Sequence, residues 1–271
     1  MAYAARVPVS PRIRAARLVL DDALERETID EIASRTGELF AADLAARPSR
    51  HVYVSALPRD LALTIDRVRA LPQIEHAIRA QLSSDVEITS MRETDELYLC
   101  HYNEDFGGDH GLFAPHYDGN LRFLPFGTVV RALVYVRSSG SFEVVFEDSQ
   151  ESFGFVSYDV GLLDFHRERH HVTGRYASDA PERILLKCNY LVLAPSERWL
   201  RAPLLAVNLG QFYVVKAAME YSKSPRTWSQ HVVGWVCNGI RLLNNAHPIL
   251  PHVAMLGALA TLVAVVWAVA A

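Results

Sequence analysis

Apolar positions recur at helical spacing in the first third of the chain and at short β-like spacing beyond about residue 95. Between residues 18 and 50, Leu24, Ile29, Ile32 and Leu39 fit one apolar stripe, with Glu27, Asp30 and Glu38 off it, which predicts an amphipathic helix. Glu25 falls inside the stripe. Asp22 as N-cap, with Glu25 three residues later, accounts for that acid as half of a capping box. The segment "PRDLALTIDRVRALPQIEHAIRAQL", about 58–82, predicts a second helix broken at Pro72. Then come "ELYLCHYN", "TVVRALVYVRS", "SFEVVFEDS", "SFGFVSYD", "GLLDFH" and "RILLKCNYLVL", short β-rich runs punctuated by Gly, Asn, Asp, Ser and Pro. "PLLAVNLGQFYVVKAA" is read as a further strand. Helices followed by many short strands predict an α+β chain, mainly β, in which an antiparallel sandwich is backed by an N-terminal helical buttress.

The C-terminal pattern has no period. From Leu242 to Ala271 there is no Asp, Glu, Lys or Arg, and residues 253–271 are apolar apart from Gly257 and Thr261. A core helix keeps a polar face. This segment has none, which predicts a transmembrane helix within 248–271. Lys223, Arg226 and Arg241 precede it, so the positive-inside rule predicts a tail-anchored protein with its folded domain in the cytosol. The expected organisation is an N-terminal extension over 1–16, a domain over 17–218, a connector over 219–247 and the tail. The extension and the residue after it carry Arg6, Arg12, Arg14 and Arg17 with no acid before Asp21, and a transit peptide is the alternative reading of that stretch.

The 271 residues, half of them hydrophobic, suffice for a sizeable core. A net charge of −4 lacks the basic footprint of a nucleic-acid binder. Three well-separated cysteines make neither a disulfide framework nor a CxxC zinc site, so metal chemistry would fall to histidine and carboxylate.

"APHYDGN" places His116 and Asp118 two residues apart, on one face if the segment is extended. Imidazole with carboxylate suits a mid-transition metal such as iron. "GLLDFHRERHHVTG" follows a predicted strand and offers His166, His170 and His171 as a third ligand, which would complete a two-histidine, one-carboxylate facial triad with open positions. A keto-acid in those positions needs a counter-charge for its far carboxylate, and Arg183 opens the next strand, with Lys187 four residues on along the same face.

The succession "YLCHYNEDFGGDHGLFAPHYD", "RALVYV", "GLLDF…HHVTG" and "RILLKCNYLV" resembles the Fe(II)/2-oxoglutarate-dependent dioxygenases, in their prolyl 4-hydroxylase-like branch, over about residues 17–195. The resemblance implies a double-stranded β-helix, or jelly roll. It implies His116 and Asp118 as proximal metal ligands and His170 as the distal one, since the family's His-x-Val phrase fits His170 with Val172. It further implies Arg183 as the 2-oxoglutarate base and Tyr102 as the strand tyrosine that contacts the same carboxylate. Fe(II), 2-oxoglutarate as cosubstrate and ascorbate are the implied cofactors. The implied reaction is hydroxylation of a substrate C–H bond by dioxygen, with release of succinate and CO2. Peptidyl-proline is the default substrate, and a small amino acid or a lipid-linked molecule are the others.

The chain departs from the family pattern in longer segments between Tyr102 and His116 and between His170 and Arg183, and in "GSFEVVF" where the family has a Gly-Gly-Glu-Thr-like strand. Two other functional classes stay open: a zinc hydrolase on the same histidine and aspartate, and a catalytically inactive dioxygenase fold tethered to a membrane as a binding module. Trp199 and Trp228 are expected to be packing residues, and Arg131 to face substrate or pair with an acid.

Overall fold

The computed structural model describes residues 16–46, 49–101, 115, 126–138, 141–147, 149–164, 169–175, 182–223, 227–232 and 235. The chain divides into two compact units, one of residues 1–119 and 124–206 and one of residues 120–123 and 207–271. All ten described strands belong to the first.

Seven strands form a large antiparallel sheet. Its order is β1 (Ala16–Val19), β8 (Asp159–Leu163), β5 (Thr128–Ser138), β10 (Glu182–Leu193), β4 (Glu96–His101) and β2 (Ser49–Tyr53), with β3 (Glu87–Ser90) on the far half of β10. A small sheet has the order β7 (Ser152–Gly154), β6 (Ser141–Phe146) and β9 (His170–Arg175). After β5 the chain enters the small sheet for β6 and β7, returns to the large sheet for β8, crosses again for β9 and returns for β10. This alternation between two sheets is that of a jelly roll.

Side-chain alternation gives the large sheet two buried faces. Leu97, Leu99, Val130, Ala132, Val134, Ile184 and Leu186 pack with the helices α1 (Ala23–Ala46), α2 (Arg59–Arg69) and α3 (Pro72–Gln81). Tyr98, Cys100, Leu133, Tyr135 and Leu185 point the other way, onto Phe142, Val144, Phe146 and Val172 of the small sheet. β10 lies between β5 and β4 and is buried on both faces, which explains why its sequence shows a long apolar run and not a clean alternation.

A polar joint fixes α2 to the sheet. Asp95 accepts the backbone N–H of Asn189 at 2.9 Å and pairs with Arg69 at 3.2 Å. Burial pushes its carboxyl up to about 7, against the pull of the Asn189 amide and Arg69.

The expected buttress, the break at Pro72 and the strands of the β-rich half are present. Several details differ. Of the proposed stripe on α1 only Ile29 and Ile32 are buried; Leu24 is 68% exposed and Leu39 is exposed as well, and the buried face runs instead through Thr28, Ile29, Ile32, Ala33 and Thr36. Asp22 does cap α1, accepting the N–H of Leu24 at 2.8 Å, but Glu25 takes the Gln73 amide at 2.5 Å. The run "PLLAVNLGQFYVVKAA" belongs to a helix, α4 (Arg201–Lys223), and is not a strand. β1, β2, β3 and β9 were not foreseen as strands. Trp199 and Trp228, expected as packing residues, are exposed. No described helix is long and apolar enough to cross a membrane; the expected tail over 248–271 lies outside the described residues.

Replacing Asp95 by Ala is expected to lower unfolding stability by about 2 kcal/mol, because the buried Asn189 N–H loses its acceptor and Arg69 is left with Asp66 alone. Leu24→Ala, at the exposed end of the stripe, is expected to change it by under about 0.5 kcal/mol. Urea unfolding of both variants checks the two values.

Candidate functional site

The inner face of β10 carries Arg183, Leu185, Lys187 and Asn189 at alternate positions. Three polar side chains on a face that packs against a second sheet each need a partner, and each finds a different kind.

Asn189 is satisfied by neighbours. Its amide oxygen accepts Arg131 Nε at 3.0 Å, and its amide nitrogen donates to the Thr94 carbonyl at 3.1 Å. Lys187 is held by its cross-strand neighbour: Nζ lies 2.6 Å from Glu96 Oε1, and the other Glu96 oxygen lies 3.3 Å from His51 Nδ1. Burial acts to raise the Glu96 carboxyl, but Lys187 and His51 outweigh it and hold the group well below the usual carboxylate range.

Arg183 differs. It is 2% exposed and among the largest fully buried side chains, yet among the described residues no carboxylate pairs with it. Its guanidinium carbon lies 4.7 Å from the centre of the Phe142 ring and 5.6 Å from that of Tyr135, so it sits between the two sheets against two aromatic faces. Its Nε has no hydrogen-bond partner. Burial pushes the Tyr135 phenol above its ordinary value, while Arg183 acts in the other direction through charge and a hydrogen bond. A buried, permanently charged fork beside a tyrosine hydroxyl is suited to an incoming carboxylate.

The histidine pair on β9 separates by strand parity. His170 stands opposite Phe146, and Val172 opposite Val144, in the β6–β9 ladder. His170 is 3% exposed and shares the face of Val172, which belongs to the inter-sheet core. His171 points to the other face, where Nδ1 lies 2.5 Å from Glu147 Oε1. The structure thus directs His170 into the molecule and His171 to its surface.

His170 and Arg183 mark two ends of one interior column. Arg183 rests on Phe142, and His170 faces Phe146 four residues further along β6. That spacing is about 13 Å of extended strand. Tyr102, His116, Asp118 and His166 lie outside the described residues, and among the described residues no three His, Cys, Asp or Glu side chains gather as a metal site. Tyr135 was not foreseen as a partner of Arg183. The alternation of "RALVYV" puts it on the face of Leu133, but only the register of β5 against β10, with Tyr135 opposite Leu185, brings it to the guanidinium.

The Glu96 carboxyl is lowered in the folded protein, so the unfolded chain binds the proton more readily as pH falls below the ordinary carboxylate range. Its contribution to stability is therefore present above about pH 5 and is lost toward acid. The thermal midpoint of the wild type should fall more steeply between about pH 5 and 3 than that of Glu96→Gln, a difference of slope that calorimetry measures.

No family model and no curated protein matches the sequence. Among solved structures, the chain is similar to an oxidoreductase of the 2OG-Fe(II) oxygenase family from Burkholderia pseudomallei, at 16% identity over 65% of this chain and 84% of that one, with a TM-score of 0.44. It is similar to a Pseudomonas putida prolyl-4-hydroxylase at 13% identity over 66% of this chain and 91% of that one, TM-score 0.38. It is also similar to HygX from Streptomyces hygroscopicus, solved with nickel and 2-oxoglutarate bound, at 15% identity over 65% and 82% of the two chains, TM-score 0.38.

Proposed function

We propose that this protein is an Fe(II)- and 2-oxoglutarate-dependent dioxygenase that hydroxylates a C–H bond and releases succinate and CO2. One observation carries the reading: Arg183 is a buried cation, set between two rings, with an unpartnered Nε and no acid beside it among the described residues. A buried guanidinium with no carboxylate beside it among the described residues is suited to a carboxylate from outside. The motif order of the sequence, with His116 and Asp118 ahead of His170 and Arg183, supports the same reading.

The residues present fit the implied cofactors. His170, turned inward on β9, would hold iron together with His116 and Asp118. Iron bound there supplies dioxygen chemistry driven by oxidative decarboxylation of the keto-acid. Arg183 and the Tyr135 hydroxyl would bind the distal carboxylate of 2-oxoglutarate and orient its keto-acid end toward His170. Lys187, tied to Glu96, is left as a structural cation. The apolar column of Phe142, Val144 and Phe146 excludes water along the interior between the two ends. A zinc hydrolase on the same ligands gives Arg183 no task, and the inactive-module reading gives it none either. Peptidyl-proline remains the default substrate, and ascorbate a candidate accessory reductant. We further propose that the tail over 248–271 anchors the domain to a membrane, with the domain on the cytosolic side.

Fe(II)-dependent decarboxylation of 2-oxoglutarate is expected from the wild type. It should be abolished in His116→Ala, Asp118→Ala and His170→Ala, and kept in His171→Ala, whose side chain faces Glu147. Arg183→Ala should raise the KM for 2-oxoglutarate by a hundredfold or so, as expected for a lost charge-assisted pair, and Lys187→Met should leave it within a few-fold. Turnover without 2-oxoglutarate would favour the hydrolase. For the tail, carbonate extraction should leave the full-length protein with the membranes; protein released by carbonate removes the anchor.

A further inference from the structure

Arg183 does not stand alone against Tyr135. Behind the tyrosine lies Phe155, in the link between β7 and β8, stacked on it with ring centroids 4.9 Å apart and 22° between planes. Phe155 is itself buried, and its ring occupies the space over Gly161 of β8. A Cβ at position 161 would lie 2.8 Å from both Cε1 and Cζ of that ring and 3.3 Å from Cε2. Gly161 faces inward beside Leu133 in the β5–β8 ladder and opposite Arg17 of β1, so its backbone is paired on both sides.

We infer that Gly161 and Phe155 are positioning residues for the carboxylate fork: the absent side chain at 161 lets Phe155 lie against Tyr135, and that stack sets where Tyr135 and Arg183 stand. The inference rests on the reading of Arg183 as the 2-oxoglutarate base. The packing around Gly161 is the same whatever Arg183 binds. Strands β5 and β8 are hydrogen-bonded to each other and to their outer neighbours, so neither backbone yields easily to a new methyl group. The ring of Phe155 must shift. It shares a close-packed interior with Tyr135, the guanidinium of Arg183 and Phe142 on the opposing sheet. Interiors at this density pass a displacement of a few tenths of an ångström to the next side chain. The last member of the chain is the one group whose exact direction a bidentate carboxylate contact depends on.

This sets Gly161 apart from Gly127. There, a positive φ of 62° is itself a reason for glycine, and the nearest side chain is Leu193, on another part of the core. Gly161 has no such backbone requirement. Its reason is the ring above it.

The test is calorimetric titration of 2-oxoglutarate into the full-length protein loaded with Ni(II), with Ni(II) affinity measured separately and cooperative thermal unfolding checked for each variant. Arg183→Ala should abolish 2-oxoglutarate binding; if it does not, the functional reading fails and this inference fails with it. Gly161→Ala should weaken 2-oxoglutarate binding by about tenfold and leave Ni(II) affinity unchanged. Phe155→Leu, which removes the ring but keeps apolar volume, should weaken it a few-fold. The double variant Gly161→Ala/Phe155→Leu should bind as Phe155→Leu does, because the ring that the new methyl meets is gone. If Gly161→Ala proves unfolded, Phe155→Leu and the double variant still decide. Wild-type affinity in Phe155→Leu, or in a folded Gly161→Ala, with Arg183→Ala dead, overturns the inference, as does a parallel loss of Ni(II) affinity, which would mark a general structural role.

Discussion

The structure turns on one buried guanidinium. Arg183 lies between the two sheets of the jelly roll, against Phe142 of one and Tyr135 of the other. A charge in such a place is costly unless something compensates it. Aromatic faces supply part of that compensation and a phenol hydroxyl supplies more. What the protein does not supply, among the described residues, is an anion. Lys187, two positions inward on the same face of the same strand from Leu185, shows the contrast, since it has Glu96 directly across the ladder. Two cations on one strand face are thus distinguished by what stands opposite them. Across from Arg183 in β4 stands Cys100, a buried thiol that carries no balancing charge.

The position of Arg183 follows from β10 as a whole. This strand pairs with β5, β4 and β3 and forms part of both hydrophobic clusters that cover the sheet. Its outward residues, Ile184, Leu186 and Cys188, are packed by the helices; its inward residues meet the small sheet. A strand held on both edges and both faces has little freedom to adjust, which makes it a suitable carrier for a group that must be held in direction. The same rigidity exposes the fork to disturbance from the side, through Tyr135 and Phe155.

Much of this was legible in the sequence, and the reasons differ from element to element. β5 was readable over its full length because "TVVRALVYVRS" is long, β-branched and bounded by turn residues. The short strands β1, β2 and β3 were not, since "ARLV", "SRHVY" and "EITS" carry too few alternations to show a period. β9 was hidden because its inward positions begin with a histidine in place of an apolar residue, which breaks the alternation. α4 was mistaken for a strand because it is rich in Val, Phe and Tyr; its length, beyond that of an ordinary strand, was the better signal. On α1, hydrophobicity pointed to Leu24 and Leu39, whereas tertiary packing buries two threonines, Thr28 and Thr36, the first of them donating its hydroxyl to the Leu24 carbonyl. At the histidine pair, which side chain turns inward follows from parity alone once β9 is a strand: His170 shares the face of Val172, and His171 takes the other. The Tyr135 contact was not contained in the sequence, because it depends on the register of β5 against β10, which shifts between Ile184 and Leu185.

The two ends of the interior column constrain what can bind between them. His170 and Arg183 lie on different strands of different sheets, and their spacing is fixed by the β6 ladder through Phe146 and Phe142. The side chains between are apolar, Val144 and Val172 among them. On the proposed reading, a molecule that engages both ends would be elongated, anionic where it meets Arg183 and directed at a metal held beside His170 at the other end, with little polarity between. A monocarboxylate could satisfy only one end, and a highly hydroxylated ligand would bury groups with no partner along the column. On that reading the register of β6 against β9 would limit ligand length, and the position of Arg183 between the sheets would set ligand charge. These would be two independent requirements, imposed by different parts of one fold, and the short keto-diacid proposed above would meet both.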